Sequence, residues 1–270
     1  MKITSRDNPK LKFARKVREG RERGFIFIEG LRLAEEVLRS EIEISEVFFT
    51  GEFAETVRGK TLLETANTSN FSEVSDNLFH SLADTKNSQG IIVICAKPST
   101  IKENIEATLS ASKQKFPLLV LLHETNNPSN LGAILRTSEA VGVSGVILTK
   151  NSADVFAPKA LRSAMGASLR IPLWTNADFF EVLEWAREHE LVSVCADVNS
   201  AKSYTEIDWQ KPRLVVFGSE AHGLSAKERE KVDESLIIPM ENKVESLNLA
   251  VSCGVILYEA KRQINKLFPK

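Results

Sequence analysis

The sequence predicts an α/β protein in two parts: a small domain over residues 1–97, a linker over 98–115 and a parallel-sheet domain over 116–270. Three observations carry this. Leu118-Leu119-Val120-Leu121-Leu122 is an unbroken apolar run, the pattern of a strand covered on both faces. Beyond it, short apolar runs alternate with segments of helical period, the order that winds a parallel sheet with helices on both sides. Before it, Pro98, Ser99 and Thr100 open a stretch of mixed charge and small residues that parts two such alternations.

In the first part, Phe25-Ile26-Phe27-Ile28 reads as a strand closed by Glu29-Gly30. Leu31, Leu33, Ala34, Val37 and Leu38 recur at helical spacing and predict a helix over 31–38. Ile44 to Phe49, Phe71 to Val74 and Ile91 to Cys95 are further strands. In the linker, Ile101 to Leu109 can form a helical turn or more. The second part adds strands at Gly145 to Thr149, Ile171 to Trp174, Leu191 to Ala196, Leu214 to Phe217 and Leu236 to Pro239. Leu131, Ile134 and Leu135 make one helical face, continued by Ser138 and ended by Gly142. Phe179, Val182, Leu183 and Ala186 mark a helix over 177–190. Ser225 with Glu228 is a capping box that opens another, and Ser246 to Gln263 is a long last helix.

At 43% apolar and 26% charged, the composition is that of an ordinary soluble globular chain. A net charge of −1 announces no nucleic-acid partner, but the distribution says more. Residues 1–23 hold nine Lys or Arg against Asp7, Glu19 and Glu22, a local +6. Such a segment either neutralises phosphates in a salt-dependent way or forms a solvated helix face. Cys95, Cys195 and Cys253 each lie in an apolar run, where a buried free thiol is expected. Scattered, odd cysteines fit a reducing cytoplasm. No Cys/His cluster has zinc spacing, so no metal is expected. No apolar stretch approaches the ~20 residues of a membrane span, and the N-terminus lacks a secretory apolar core.

Three polar segments carry the chemistry. Asn130 to Thr137 follows the buried strand, with Asn130 placed as a helix N-cap. Arg136 lies six residues on, about 240° around the helix from Asn130. The two converge only on something lying beside the helix start. The second segment breaks the Leu214 to Phe217 strand at Gly218-Ser219-Glu220. A glycine at a strand end permits close approach of a ligand, and Glu220 is a candidate acceptor or acid–base group. The third runs from Ile238-Pro239-Met240 to Ser246-Leu247-Asn248. Ser246 is a natural N-cap there, and Asn248 is a poor first-turn residue that hints at function. All three lie at the carboxyl ends of strands, where open α/β sheets bind ligands.

In this order and spacing the segments resemble the SpoU/TrmH family of RNA ribose methyltransferases, within the SPOUT superfamily. That family reads N-x-G-a-i-x-R-T, then G-[NS]-E-x-x-G-L, then I-P-M and S-L-N at the head of the last helix. The match falls on Asn130, Gly132, Arg136, Thr137, Gly218, Glu220, Gly223, Leu224, Ile238, Pro239, Met240, Ser246, Leu247 and Asn248. Asn8-Pro9-Lys10, the Phe25 to Gly30 strand and Gln89-Gly90-Ile91 are similar to the family's ribosomal-protein-like substrate-binding domain. Two departures stand out: Asn127-Pro128 where Asp-Pro is usual, and Ala221 where Gly is common.

The resemblance implies a C-terminal domain tied in a deep trefoil knot, S-adenosylmethionine as cofactor, RNA as substrate (ribosomal rather than transfer RNA) and a homodimer. It implies that Gly218, Ile238, Met240 and Leu247 line the cofactor pocket. It implies that Arg136 contacts the nucleotide, and that Asn130, Glu220, Ser246 and Asn248 orient Arg136 and substrate. A guanidinium with a pKa above about 12 is a poor base, so Arg136 is expected to stabilise developing charge instead. The alternatives are a transfer-RNA methyltransferase and a non-catalytic RNA-binding protein on the same scaffold. A dinucleotide-binding fold is excluded because no G-x-G-x-x-G follows any strand.

Overall fold

The computed structural model describes residues 2–66, 68–242 and 244–266. They form two compact units: residues up to Pro98 together with Val155–Gly166, and Ser99–Asp154 with Ala167 onward.

The first unit runs β1 (Lys2–Ile3), α1 (Pro9–Arg18), β2 (Phe25–Glu29), α2 (Leu31–Leu38), β3 (Ile44–Phe49), α3 (Gly51–Glu55), α4 (Val57–Thr65), β4 (Phe71–Val74), α5 (Asp76–Leu82) and β5 (Ile91–Ala96). The sheet order is β1-β4-β3-β5-β2. It is mixed: β5 runs antiparallel to both β2 and β3, while β4 pairs in parallel with β1 and β3. Phe27, Phe48, Ile92 and Ile94 pack with Leu11 and Val17 of α1 and Phe79 and Leu82 of α5. Glu29 is a buried carboxylate whose oxygens accept the Asp84 and Thr85 backbone N–H groups at 2.8 and 3.3 Å. That pins the loop after α5 and satisfies the charge.

The basic N-terminal segment folds as α1. Asn8 caps it by accepting from the Lys10 N–H at 2.9 Å, and Pro9 takes the first helical position. Much of its charge meets partners within the unit. Lys10 pairs with Glu46, Lys12 with Asp7 and Lys16 with Glu22. Arg18 donates to the Leu82 and Ala83 carbonyls at the carboxyl end of α5, at 2.7 and 3.1 Å.

The rest of the chain runs α6 (Lys102–Ala111), β6 (Leu118–Leu122), α7 (Pro128–Val141), β7 (Gly145–Thr149), α8 (Pro158–Ala164), α9 (Ala167–Arg170), β8 (Leu173–Ala177), α10 (Phe179–Glu188), β9 (Val192–Ala196), β10 (Arg213–Phe217), α11 (Ala226–Arg229), β11 (Glu234–Leu236) and α12 (Leu249–Lys266). All but α8 lie in the second unit, where six strands pair in parallel in the order β11-β9-β10-β6-β7-β8. Leu119, Leu121, Leu214 and Val216 join a core with α10 and Ile105 of α6. The alternate residues Leu118, Val120, Leu122, Val215 and Phe217 are equally buried, so the sheet is covered on both faces. Helices α7 and α12 pack on each other, and the Lys261 ammonium donates to the Val141 carbonyl at 2.6 Å.

Several boundaries differ from the sequence reading. The stretch expected as a linker carries α6, whose Ile105 is buried beneath β8. Strand β8 starts after Pro172 rather than at Ile171, since proline donates nothing to a ladder. Strand β11 ends at Leu236, leaving Ile238-Pro239-Met240 as loop. Residues 155–166, expected in the parallel-sheet domain, belong to the first unit.

Candidate active site

The site is built from loops at the carboxyl ends of β6, β9, β10 and β11, closed by the start of α12. Helix α7 is capped by Asn127, not Asn130: the Asn127 amide oxygen accepts the Ser129 and Asn130 N–H groups at 2.9 and 3.4 Å, and Pro128 occupies the first helical position. This frees the Asn130 side chain. Its Nδ2 donates to Glu220 Oε1 at 2.8 Å, and its Oδ1 accepts from Asn248 Nδ2 at 3.2 Å. Asn248 in turn caps α12, its Oδ1 accepting the Ala250 and Val251 N–H groups at 2.9 and 3.3 Å. The cap expected at Ser246 therefore falls two residues later. One hydrogen-bonded chain, Asn248–Asn130–Glu220, joins all three polar segments.

These side chains border a cavity of about 560 Å³. Asn130, Gly218, Glu220, Ile238, Met240, Ser246, Leu247 and Asn248 all line it. Arg136 does not: it is exposed on α7, outside the cavity lining. Gly218 is required by the chain's own turn. A Cβ there would stand 2.3 Å from the Gly223 carbonyl carbon and 2.6 Å from the Leu224 nitrogen. Ser219 and Gly223 exchange backbone hydrogen bonds at 3.1 and 2.9 Å, and Gly223 closes the turn at φ 64°.

Behind the cavity, His123 is buried between the Thr149 hydroxyl (3.1 Å from Nδ1) and Glu228 Oε1 (3.2 Å from Nε2). Burial pushes the Glu228 carboxyl up, but hydrogen bonds from Ser225 and nearby His123 outweigh it and hold the group below its usual range. This pair ties the capping box of α11 to the end of β6. The sequence reading missed His123, as it missed the lining residues Cys195, Asp197, Asn199 and Arg229. The available signal for Cys195 to Asn199 was their position at the carboxyl end of a parallel strand. Cys195 is no nucleophile: burial pushes its thiol up to about 11. Among the described residues, no group of His, Cys, Asp and Glu is placed to hold a metal ion, and no helix is long and apolar enough to cross a membrane.

Residues 117–258, more than half of the chain, match the SpoU rRNA Methylase family. The chain belongs to this family. Residues 8–93 match the MRM3-like substrate binding domain. Among curated relatives of this SpoU protein, a Synechocystis sp. protein named as an uncharacterized tRNA/rRNA methyltransferase is 32% identical over 97% of the chain and 93% of the relative. The 23S rRNA (guanosine(2553)-2'-O)-methyltransferase RlmP of Bacillus subtilis is 30% identical over 96% and 98%. Among solved structures, the AdoMet-bound rRNA methyltransferase from Sinorhizobium meliloti superposes with a TM-score of 0.82, at 25% identity and 97% coverage of both chains.

The second unit accordingly has the trefoil-knot methyltransferase fold. The chain's path agrees. From β11, at the sheet edge, it returns past β9 and β10 to bring Asn248 against Asn130, just beyond β6. The SpoU chain is an S-adenosylmethionine-dependent RNA methyltransferase. The cavity suits that cofactor: its volume is that of a ligand pocket, and the carboxylates of Asp197, Glu220 and Glu245 complement a sulfonium and an ammonium group.

Proposed function

We propose that the chain methylates a ribose 2'-hydroxyl in ribosomal RNA, working as a homodimer, with residues 1–97 holding the RNA and 116–270 carrying the reaction. The observation that supports this most is the Asn248–Asn130–Glu220 chain at the mouth of the cavity. A nearly full-length relative named for 23S ribosomal RNA favours that substrate over transfer RNA.

Bound S-adenosylmethionine supplies an electrophilic methyl on its sulfonium. Gly218, Ile238, Met240 and Leu247 would hold that cofactor, and Ser246 the edge nearest substrate. Glu220 fixes the Asn130 amide, so that its oxygen faces Asn248 and its orientation is set before substrate arrives. Preorganised dipoles of this kind lower the barrier because they cost no reorganisation during reaction. Held there, the cofactor would give its methyl to the 2'-oxygen, leaving its sulfur as a neutral thioether, and the hydroxyl proton would leave to solvent.

Arg136 enters this reading through the dimer. It is exposed and outside the cavity of its own chain. Along α12, which packs on α7, Val251 and Tyr258 form an exposed apolar stripe at 52% and 56% accessibility. A two-fold partner on the stripe would set one chain's Arg136 beside the other's cavity, where it stabilises developing alkoxide and phosphate charge.

Methyl-labelled cofactor with total ribosomal and transfer RNA, followed by mapping of ribose methylation, tests the substrate. Label on transfer RNA alone would refute the ribosomal assignment. Arg136→Ala should lower turnover by about a hundredfold with cofactor affinity unchanged. Mixing inactive Arg136→Ala with inactive Asn130→Ala chains should restore roughly a quarter of the activity, since half of randomly paired dimers then hold one intact site of two. No recovery would place Arg136 in its own chain's site.

A further inference from the structure

One wall of the cavity comes from none of the three polar segments. Asp197 follows β9 and donates its backbone N–H to the Leu236 carbonyl at 2.8 Å. Its Oδ1 accepts the Asn199 backbone N–H at 2.9 Å and the Asn199 side-chain amide at 3.3 Å. Its Oδ2 meets Arg229 Nη1 at 3.0 Å, and the Asp197 side chain is only 12% accessible. Arg229 Nη2 donates to the Leu224 carbonyl at 3.2 Å. The guanidinium is thus fixed from two sides, by the end of β9 and by the turn after β10.

Arg229 is the only Lys or Arg among the described residues lining the cavity, against the carboxylates of Asp197, Glu220 and Glu245. S-adenosylmethionine carries a sulfonium, an ammonium and one anionic group, the carboxylate of its methionine end. Glu220 and Glu245 repel that anion, and Asp197 is paired with Arg229, so the anion needs a fixed cation. A guanidinium offers five N–H donors; Leu224 takes one, while Nη1 forms an ion pair with Asp197. The other donors give it the capacity to hydrogen-bond a carboxylate as well as to pair with its charge.

We propose that Arg229 receives the carboxylate of the cofactor's methionine end, and that Asp197 is the positioning residue that aims it. The proposal rests on S-adenosylmethionine being the cofactor and adds a specificity determinant outside the family motifs. Arg229 thereby distinguishes the intact cofactor from analogues lacking the carboxylate.

Calorimetric titration with S-adenosylmethionine and with its decarboxylated analogue tests this. Wild type should prefer the intact cofactor by about tenfold or more, the worth of a charge-assisted pair. Arg229→Gln should weaken the intact cofactor by a similar factor, leave the analogue within about twofold, and so erase the preference. Arg229→Lys should restore part of it, and Asp197→Asn should shrink it. Arg229 is half exposed on a short helix, so its substitutions spare the core, and thermal melting checks the folding of each variant, Asp197→Asn included. Equal weakening of both ligands in Arg229→Gln would reduce Arg229 to a clasp between two loops and overturn the proposal, as would unchanged affinities. A wild type that binds cofactor without preference overturns this proposal alone. A wild type that binds no S-adenosylmethionine overturns the cofactor reading and this proposal with it.

Discussion

Asn248 serves two purposes at once. Its amide oxygen caps α12, and its amide nitrogen holds Asn130. The two are separable. Asn248→Asp keeps the cap but loses the donor, so its melting temperature should stay within about 2 °C of wild type while turnover falls about tenfold or more. Retained turnover would remove the hydrogen-bonded chain from the mechanism. Asn248→Ala loses both and should cost about 1 kcal/mol of stability as well. Gly218→Ala places a methyl inside the backbone of the following turn. Overpacking of about 1–3 kcal/mol must displace residues 219–223, and cofactor affinity should drop about tenfold or more by calorimetry. Wild-type affinity in that variant would mean the turn yields freely. At this scale the residue types were legible and their duties were not. Asn130 and Ser246 read as caps because a polar residue before an apolar helix face is a cap signal. Asn127 and Asn248 carry the caps instead, because Pro128 starts α7 earlier and α12 starts later.

The helices and strands depend on pairings between distant segments. Helix α9 holds α7 through Arg170, whose guanidinium grips the Glu139 carboxylate, with Nη2 to Oε2 at 2.8 Å. That hydrogen bond holds the Glu139 carboxyl below its usual value of 4.5. A lowered carboxylate pKa adds stability that is complete above 4.5 and is lost as pH falls through the folded value. Arg170→Gln should therefore melt below wild type near about pH 7, and the gap should close as pH falls through the lowered folded value. A gap that persists in acid would assign the difference to packing. The pair is partly exposed, so the gap should be small. Arg213 is different: it is 1% accessible, donates from Nε and Nη2 to the Asp208 carbonyl at 3.1 and 2.9 Å, and meets Glu234 at 2.6 Å. It locks β10 to β11 across β9, and nothing in the local sequence marks it as buried. The strands themselves were plain, since Leu118–Leu122 and Gly145–Thr149 are apolar throughout. Helix α6 was legible only as a helical turn or more within a linker, because only Ile105 of its ten residues is buried.

For the molecule as a whole, the proposed homodimer rests on the exposed stripe on α12. Val251→Glu puts a charge in the middle of the proposed two-fold contact. It should convert a dimer to a monomer by light scattering at micromolar concentration and abolish turnover in the same step. A monomeric wild type, or an active monomeric variant, would refute a shared site. By itself the sequence determined the parallel sheet, the three polar segments at its carboxyl edge and the family they belong to. Apolar runs, helical periods and short motifs are local properties, and each is set by neighbours a few residues away. The tertiary structure alone decided that Asn248, Asn130 and Glu220 form one chain, that Arg229 and Asp197 complete the cavity, and that Arg136 lies outside it. The Asn248–Asn130–Glu220 chain joins residues about a hundred positions apart, and only the returning path of the chain from β11 to α12 brings them within hydrogen-bonding distance.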